Sequence, residues 1–137
     1  MHIKMHIKNA AKIMVAITVL SLSSIPCLAQ ADRTPVRLHF PARRNTAIAR
    51  GMVGGESTDY FVVHAKAGQK LIVRAISPHM CTHIIVYQVE GDVPLSEKAQ
   101  RMDLTHWDGK APQAGDYRIE VTAFPDAEDY TLYVTLL

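Results

Sequence analysis

The stretch with the most chemistry in the fewest residues is Pro78-His79-Met80-Cys81-Thr82-His83. Two imidazoles and a thiol are suitable ligands for zinc or copper. In a straight strand, at about 3.3 Å per residue, His79 and His83 stand roughly 13 Å apart. Bonds of about 2.0–2.3 Å to a single metal do not span that distance. The stretch must therefore curl to bind, which Pro78 allows, and it has no carboxylate or fourth ligand nearby in sequence. The competing reading is a buried or half-buried thiol beside two ordinary loop histidines. Cys81 would be a reactive thiol only with a depressed pKa, which depends on exposure and charged neighbours.

A second group is acidic. Glu56 and Asp59 lie in or beside one loop with Ser57, Thr58 and Tyr60, and Asp126, Glu128 and Asp129 lie in or beside another. A carboxylate patch there would face a basic partner and would speed association more than it tightened binding. The plainer explanation is that loops are polar because they are wet. Trp107 sits between Thr105-His106 and Asp108-Gly109, a polar setting that favours an exposed indole. With Tyr60, Tyr87, Tyr117, Tyr130 and Tyr133 it forms a sugar-stacking face only if two or more rings share one surface. Tyr117, two residues after Gly115, is expected to pack at a strand start.

Catalytic signatures are missing from the sequence. It contains no G-x-S-x-G elbow, no H-E-x-x-H helix and no Gly-rich phosphate loop. His64 and His106 can be combined with Asp and Ser residues into a triad on paper, but any chain with 7 histidines offers that. The expectation is a non-enzymatic protein with no catalytic residues and no cofactor.

The elements that must position these residues follow from alternation. Val36, Leu38 and Phe40 alternate with Arg37 and His39, as a half-buried strand does. Residues 48–53 read as a second strand, with Gly51 at a bulge. Residues 59–65 and 70–76 read as a hairpin whose turn, Lys66-Ala67-Gly68-Gln69, uses Gly68 at positive φ. Residues 83–88, 105–107, 117–121 and 130–136 complete the set, and residues 89–104 are the longest irregular stretch. Seven to eight short strands with no amphipathic helix of ten residues or more predict an all-β antiparallel sandwich or jelly roll. The expected core is Phe61, Val63, Leu71, Val73, Ile85, Ile119, Val121, Leu132 and Val134. If every connection reverses direction, loop 54–58 lies at one end of the sandwich and loop 124–128 at the other. They share an end only if the weak strand near Trp107 is not a full crossing.

The N-terminus reads as a secretory signal. Lys4, Lys8 and Lys12 precede a short apolar run, and Cys27-Leu28-Ala29-Gln30-Ala31 supplies an A-x-A-like end. The run is shorter than the roughly 20 residues that cross a bilayer. Cleavage after Ala29 or Ala31 leaves residues 30–137 as one domain, periplasmic or secreted, with no membrane span. Of 15 basic residues, losing those three lysines leaves 12 against 13 acidic ones, a net charge of −1. That balance lacks the basic excess that nucleic-acid binding needs. Only Cys81 remains after cleavage, so no internal disulfide can form and stability must come from the core.

Three segments carry a family likeness. Gly51-Met-Val-Gly-Gly55, Ala65-Lys-Ala-Gly-Gln-Lys70 and Gly115-Asp-Tyr-Arg-Ile-Glu-Val121 together resemble the bacterial pre-peptidase C-terminal type of β-sandwich. Their order and spacing are similar to those of the periplasmic inhibitors of g-type lysozyme. The likeness covers most of residues 35–137. It implies a protein that pushes surface loops into a lysozyme cleft and needs no cofactor, with the loop after Gly55 as a contact region. Asp59 matches that family loop. The last loop, Phe124-Pro-Asp-Ala-Glu-Asp129, is shorter and more acidic than its family counterpart. Three kinds of function are therefore in play: an inhibitor of a lysozyme or other cell-wall hydrolase, a module that binds glycan or envelope protein, and a metal-binding protein using His79, Cys81 and His83.

Overall fold

The computed structural model describes residues 33–95 and 104–137, so the signal-like segment lies outside the described residues. Nine strands are found among the described residues: β1 (Val36–Arg37), β2 (Thr46–Val53), β3 (Asp59–Ala65), β4 (Lys70–Ile76), β5 (Thr82–Gln88), β6 (Val93–Pro94), β7 (His106–Lys110), β8 (Gly115–Ala123) and β9 (Glu128–Leu136). They form a five-stranded sheet, β1-β3-β8-β5-β6, and a four-stranded sheet, β2-β9-β4-β7. Every pairing is antiparallel except the short parallel contact of β1 with β3. The all-β sandwich expected from alternation is present; the strand expected at 36–40 is shortened to the two-residue β1, and the two-residue β6 brings the count to nine.

The core is the space between the sheets. Phe61, Val63 and Ala65 of β3 and Tyr117, Ile119 and Val121 of β8 face Leu71, Val73 and Ala75 of β4 and Tyr130, Leu132 and Val134 of β9. Burying each large apolar side chain contributes about 1.5–3 kcal/mol, and the one described cysteine is unpaired. Tyr117 is fully buried, and its hydroxyl donates 2.6 Å to the Gln113 carbonyl, tying the β7–β8 turn to the strand start.

Two strand-level expectations are corrected. The segments 59–65 and 70–76 do not pair with each other: β3 pairs with β1 and β8, whereas β4 pairs with β7 and β9. Their apolar positions face each other across the core instead of lining one sheet face. The turn between them, with Gly68 at φ 78°, takes its partners from the β7–β8 connection through Gly68 N–H to Ala111 carbonyl and Ala111 N–H to Gln69 carbonyl. In β5 it is Ile84 and Val86 that are buried, while Ile85 is half-buried on the outer face. Both parities of that strand are apolar, so alternation could not choose between them, and a shift of one residue swaps the faces.

Gly51 marks a close approach rather than a bulge. The β2–β9 register runs unbroken from Thr46↔Thr135 to Val53↔Glu128. A Cβ on Gly51 would lie 2.8 Å from both the Tyr130 hydroxyl and Asp59 Oδ2.

The path of the chain brings loops 54–58 and 124–127 to the same end, here termed apical. Strand β5 runs from the apical end to the opposite, basal end. By Leu104 the chain is apical again, because the Leu104 carbonyl accepts from Ile84 N–H and the Thr105 carbonyl from Ala75 N–H. The chain thus returns from the basal to the apical end between Gln88 and Leu104, with β6 antiparallel to β5 at the start of that return, and β7 remains a full strand. That return reverses the end assignment obtained by counting strands. A Cβ on Gly54 would lie 2.2 Å from the Ala127 Cα, a direct measure of how closely the two loops pack.

Candidate functional site: the apical loops

Three loops form the apical end, residues 54–58, 77–81 and 124–127, and two buried carboxylates, Asp59 and Glu128, lie at its base. Asp59 opens β3 and is buried. Its Oδ2 accepts a 2.5 Å hydrogen bond from the Tyr130 hydroxyl, and its Oδ1 pairs with the Arg33 guanidinium. Arg33 Nη1 also donates 3.2 Å to the Met52 carbonyl. Burial, and then the hydrogen bond to Asp59, push the Tyr130 phenol far above its usual range. The Tyr130 ring stands edge-on to Phe61, with centroids 6.5 Å apart.

Glu128 opens β9 and is also buried. Loop 77–81 wraps around it: the N–H groups of His79 and Cys81 donate to its carboxylate, the latter at 2.8 Å. His79 Nδ1 lies 3.1 Å from Oε1. Burial works against this charge, but hydrogen bonds from Ser77, His79 N–H and Cys81 N–H outweigh it and hold the carboxyl below the usual range. The wrapping places Met80 at the turn with φ 58°, a conformation uncommon for a residue with a side chain. The neighbouring loop is joined on by Phe124 N–H, which donates 2.9 Å to the Cys81 carbonyl. Loop 54–58 closes on itself, with the Ser57 hydroxyl donating 2.8 Å to the Gly54 carbonyl and accepting 3.0 Å from Gly54 N–H.

The outward side of this frame is apolar at its crest and acidic around it. Met80 is 71% exposed, Phe124 61% and Met52 59%. Glu56, Asp126 and Asp129 are exposed near them.

The residues singled out in the sequence are distributed unevenly over this surface. Glu56, Ser57, Thr58 and Asp126 are in the apical loops. Asp59 and Glu128 are there too, but turned inward with their oxygens committed to Tyr130, Arg33 and loop 77–81, so they act as anchors rather than as exposed charge. Tyr60 is half-buried on the outer face of the five-stranded sheet, opposite Glu120. Trp107 is half-buried and packs against the core opposite Val73, over Gly109, where a Cβ would meet the indole at 2.6 Å. Its polar sequence neighbours, His106 and Asp108, occupy the exposed face of an edge strand, which leaves Trp107 the inward one. Tyr117 and Tyr130 are buried, so the six aromatic rings do not make one stacking surface.

Residues 78–83 do curl, but around a carboxylate. His79 and Cys81 belong to the Glu128 wrap, and Cys81 Sγ points to the His79 carbonyl at 3.7 Å. His83 lies on the outer face of β5 opposite Thr122, away from that wrap. Among the described residues no group of three His, Cys, Asp or Glu side chains is arranged to hold a metal ion. His64, exposed on β3, lies 3.3 Å from Asp116 near the basal end. Arg37 also bonds that carboxylate and, more than any other group, holds it below its ordinary range.

Met80, Phe124 and Arg33 were missed in the sequence. The available signal was the acidic residue opening each of two strands, Asp59 and Glu128. A carboxylate at a strand start next to a loop can collect that loop's N–H groups.

No family model matches the chain, and a search by sequence finds no curated relative. Solved structures share its fold. The Aeromonas hydrophila periplasmic lysozyme inhibitor of g-type lysozyme superimposes with a TM-score of 0.65 at 22% identity, over 76% of this chain and 96% of that one. Its Salmonella Typhimurium counterpart gives 0.58 at 17% identity, over 76% and 98%. The pre-peptidase C-terminal domain of a Bacillus anthracis collagenase gives 0.52 at 13% identity, over 76% and 95%. At these identities the likeness establishes a common fold.

Proposed function

We propose that this chain is an exported, non-enzymatic binding protein that inhibits a lysozyme of the g-type, or a related cell-wall hydrolase, by seating its apical loops in the enzyme's cleft. Cleavage after Ala29 or Ala31 releases residues 30–137 to the periplasm or the exterior, and no cofactor takes part. The supporting observation is the construction of the apical end. Loop 77–81 is held by the buried Glu128 carboxylate, loop 124–127 is joined to it through Phe124 N–H, and Ser57 closes loop 54–58, so their shape is set before any partner arrives, and Met80 and Phe124 project from them. Pre-set loops lose little freedom on binding, and large apolar side chains that fill a pocket dominate interface energetics. The acidic rim of Glu56, Asp126 and Asp129 suits a basic cleft and speeds encounter. The folds of the inhibitors from Aeromonas hydrophila and Salmonella Typhimurium agree with this reading.

The alternative of a glycan-binding module rests on the pre-peptidase likeness, but the stacking surface it needs is not offered by the half-buried Trp107. The test is lysis of cell-wall substrate by g-, c- and i-type lysozymes with and without the mature domain. Stoichiometric inhibition of the g-type enzyme is expected. No inhibition of any of the three at micromolar excess would exclude the reading.

A further inference from the structure

We propose that the open edge of β2 is a second docking site, separate from the apical loops, that adds an extended acidic segment of a partner protein to the four-stranded sheet.

β2 is the outermost strand of that sheet and is eight residues long, in unbroken register with β9, with no proline and no bulge. The phase of its backbone follows from one bond, Leu136 N–H to the Asn45 carbonyl at 2.8 Å. In an antiparallel ladder hydrogen-bonded pairs alternate with non-bonded ones. Asn45 and every second residue after it therefore turn their polar groups to β9. Thr46, Ile48, Arg50 and Met52 turn theirs away from the sheet. The Met52 carbonyl is occupied by Arg33, which leaves Thr46, Ile48 and Arg50 as a ladder without backbone partners among the described residues. Edges are ordinarily blunted by proline, bulges, shortness or charge, and within β2 Arg50 is the one such device among the described residues.

The side chains on this edge specify what fits. Ile48 is 57% exposed and Met52 59%, with Arg50 between them. A groove of about 760 Å³ lies over β9 on the outer face, between Arg50 and Met52 of β2 and Ile76 and Pro78, with Thr131 and the Asp129 carboxylate, which stands opposite Met52, on its floor. A smaller groove continues it past Arg74 and Tyr133. Neither Arg50 nor Arg74 has a carboxylate partner among the described residues, whereas Lys70 on the same face is 3.5 Å from Asp108. In strand addition, main-chain bonds supply affinity and the alternate side chains supply specificity. An incoming antiparallel strand sets one residue opposite Arg50 and its second neighbours opposite Ile48 and Met52. The complementary pattern is therefore apolar, any, acidic, any, apolar. A second copy of β2 in the register that matches Ile48 to Met52 would set Arg50 against Arg50, and like charges directly opposite are unfavourable. In the register centred on Ile48, Arg50 meets Thr46, so a second copy gives Arg50 no countercharge in either register, whereas an acidic residue opposite Arg50 does.

The probe is a capped, fluorescently labelled heptapeptide of threonines with valine, glutamate and isoleucine at its second, fourth and sixth positions. Binding to the mature domain is read by anisotropy at low salt. Exchanging the glutamate for lysine should weaken binding at least tenfold, and N-methylating the glutamate amide should abolish it. Arg50→Glu, an exposed substitution checked by its melting curve, should reverse the preference between the two peptides. Ile48→Pro, which removes an outward N–H, should abolish binding of both. Equal binding of the glutamate and lysine peptides, retained binding of the N-methylated one, or no binding of any would overturn the proposal. So would sedimentation showing a dimer that Ile48→Pro dissolves, since a second copy would then occupy the edge. Lysozyme inhibition should be unchanged in Ile48→Pro, which separates this site from the apical one.

Discussion

Replacing Tyr130 by phenylalanine isolates one hydrogen bond at the root of the apical loops. The ring stays, so the edge-on contact with Phe61 and the burial of the side chain, only 3% exposed, are retained. What is lost is the 2.5 Å bond to the Asp59 carboxylate. A hydrogen bond to a charged acceptor is worth about 1.5–3 kcal/mol. At about 4 °C or more per kcal/mol for a domain of this size, Tm should fall by roughly 6 °C or more. A pH signature accompanies this loss. The folded-state phenol has a pKa raised above its unfolded value of about 10. Its stabilisation is therefore complete below pH 10 and is lost as pH rises toward the folded value, because the unfolded chain gives up the proton first. Urea unfolding of the wild type and Tyr130→Phe should show a gap that is constant from pH 7 to 9 and narrows by about 1.4 kcal/mol per unit above pH 10. A variant as stable as the wild type within about 0.5 kcal/mol, a change typical of neutral surface sites, would refute the reasoning, as would a gap that does not change with pH.

Three further outcomes are expected. Met80→Asp and Phe124→Asp, both at exposed positions, should leave Tm unchanged while each weakens inhibition by about thirtyfold or more, the loss expected of an interface hot spot of about 2 kcal/mol; titration of the inhibited lysozyme checks it. Glu128→Gln should lower amide-exchange protection at His79 and Cys81. Because the wild-type carboxyl is held below its ordinary range, the stabilisation it gives is present above the unfolded pKa near 4.3 and lost as pH falls through the folded value, so the variant's disadvantage should fade in acid unfolding. Gly54→Ala places a methyl group 2.2 Å from Ala127 and should cost about 1–3 kcal/mol as overpacking does, measured by urea midpoint.

Much of the scaffold was legible because β8 and β9 alternate between apolar and polar residues, and β3 and β4 do so apart from the outward Val62, Ile72 and Ile76, and that alternation both identifies a strand and selects its inner face. Where alternation fails, so does the reading. β5 is apolar on both parities, so Ile84 and Val86 rather than Ile85 fill the core. Pairing partners are long-range and invisible to a local pattern, which is why β3 and β4 look like a hairpin yet belong to different sheets. The apical site was half legible for the same reason. Loops 54–58 and 124–127 could be found from their composition, but their meeting depends on the chain being back at the apical end by Leu104. The roles of Asp59 and Glu128 depend on burial, which turns two residues resembling surface charge into internal anchors. The curl of residues 78–83 was inferable from Pro78, but its centre, Glu128, lies 47 residues from Cys81.

The most direct measurement of the central claim is isothermal titration of the mature domain, and of its Met80→Asp, Phe124→Asp double variant, into g-type lysozyme. The account predicts a one-to-one complex for the wild type and no detectable heat for a double variant that melts at the same temperature. A complex of equal affinity in the double variant, or none with the wild type, would contradict it.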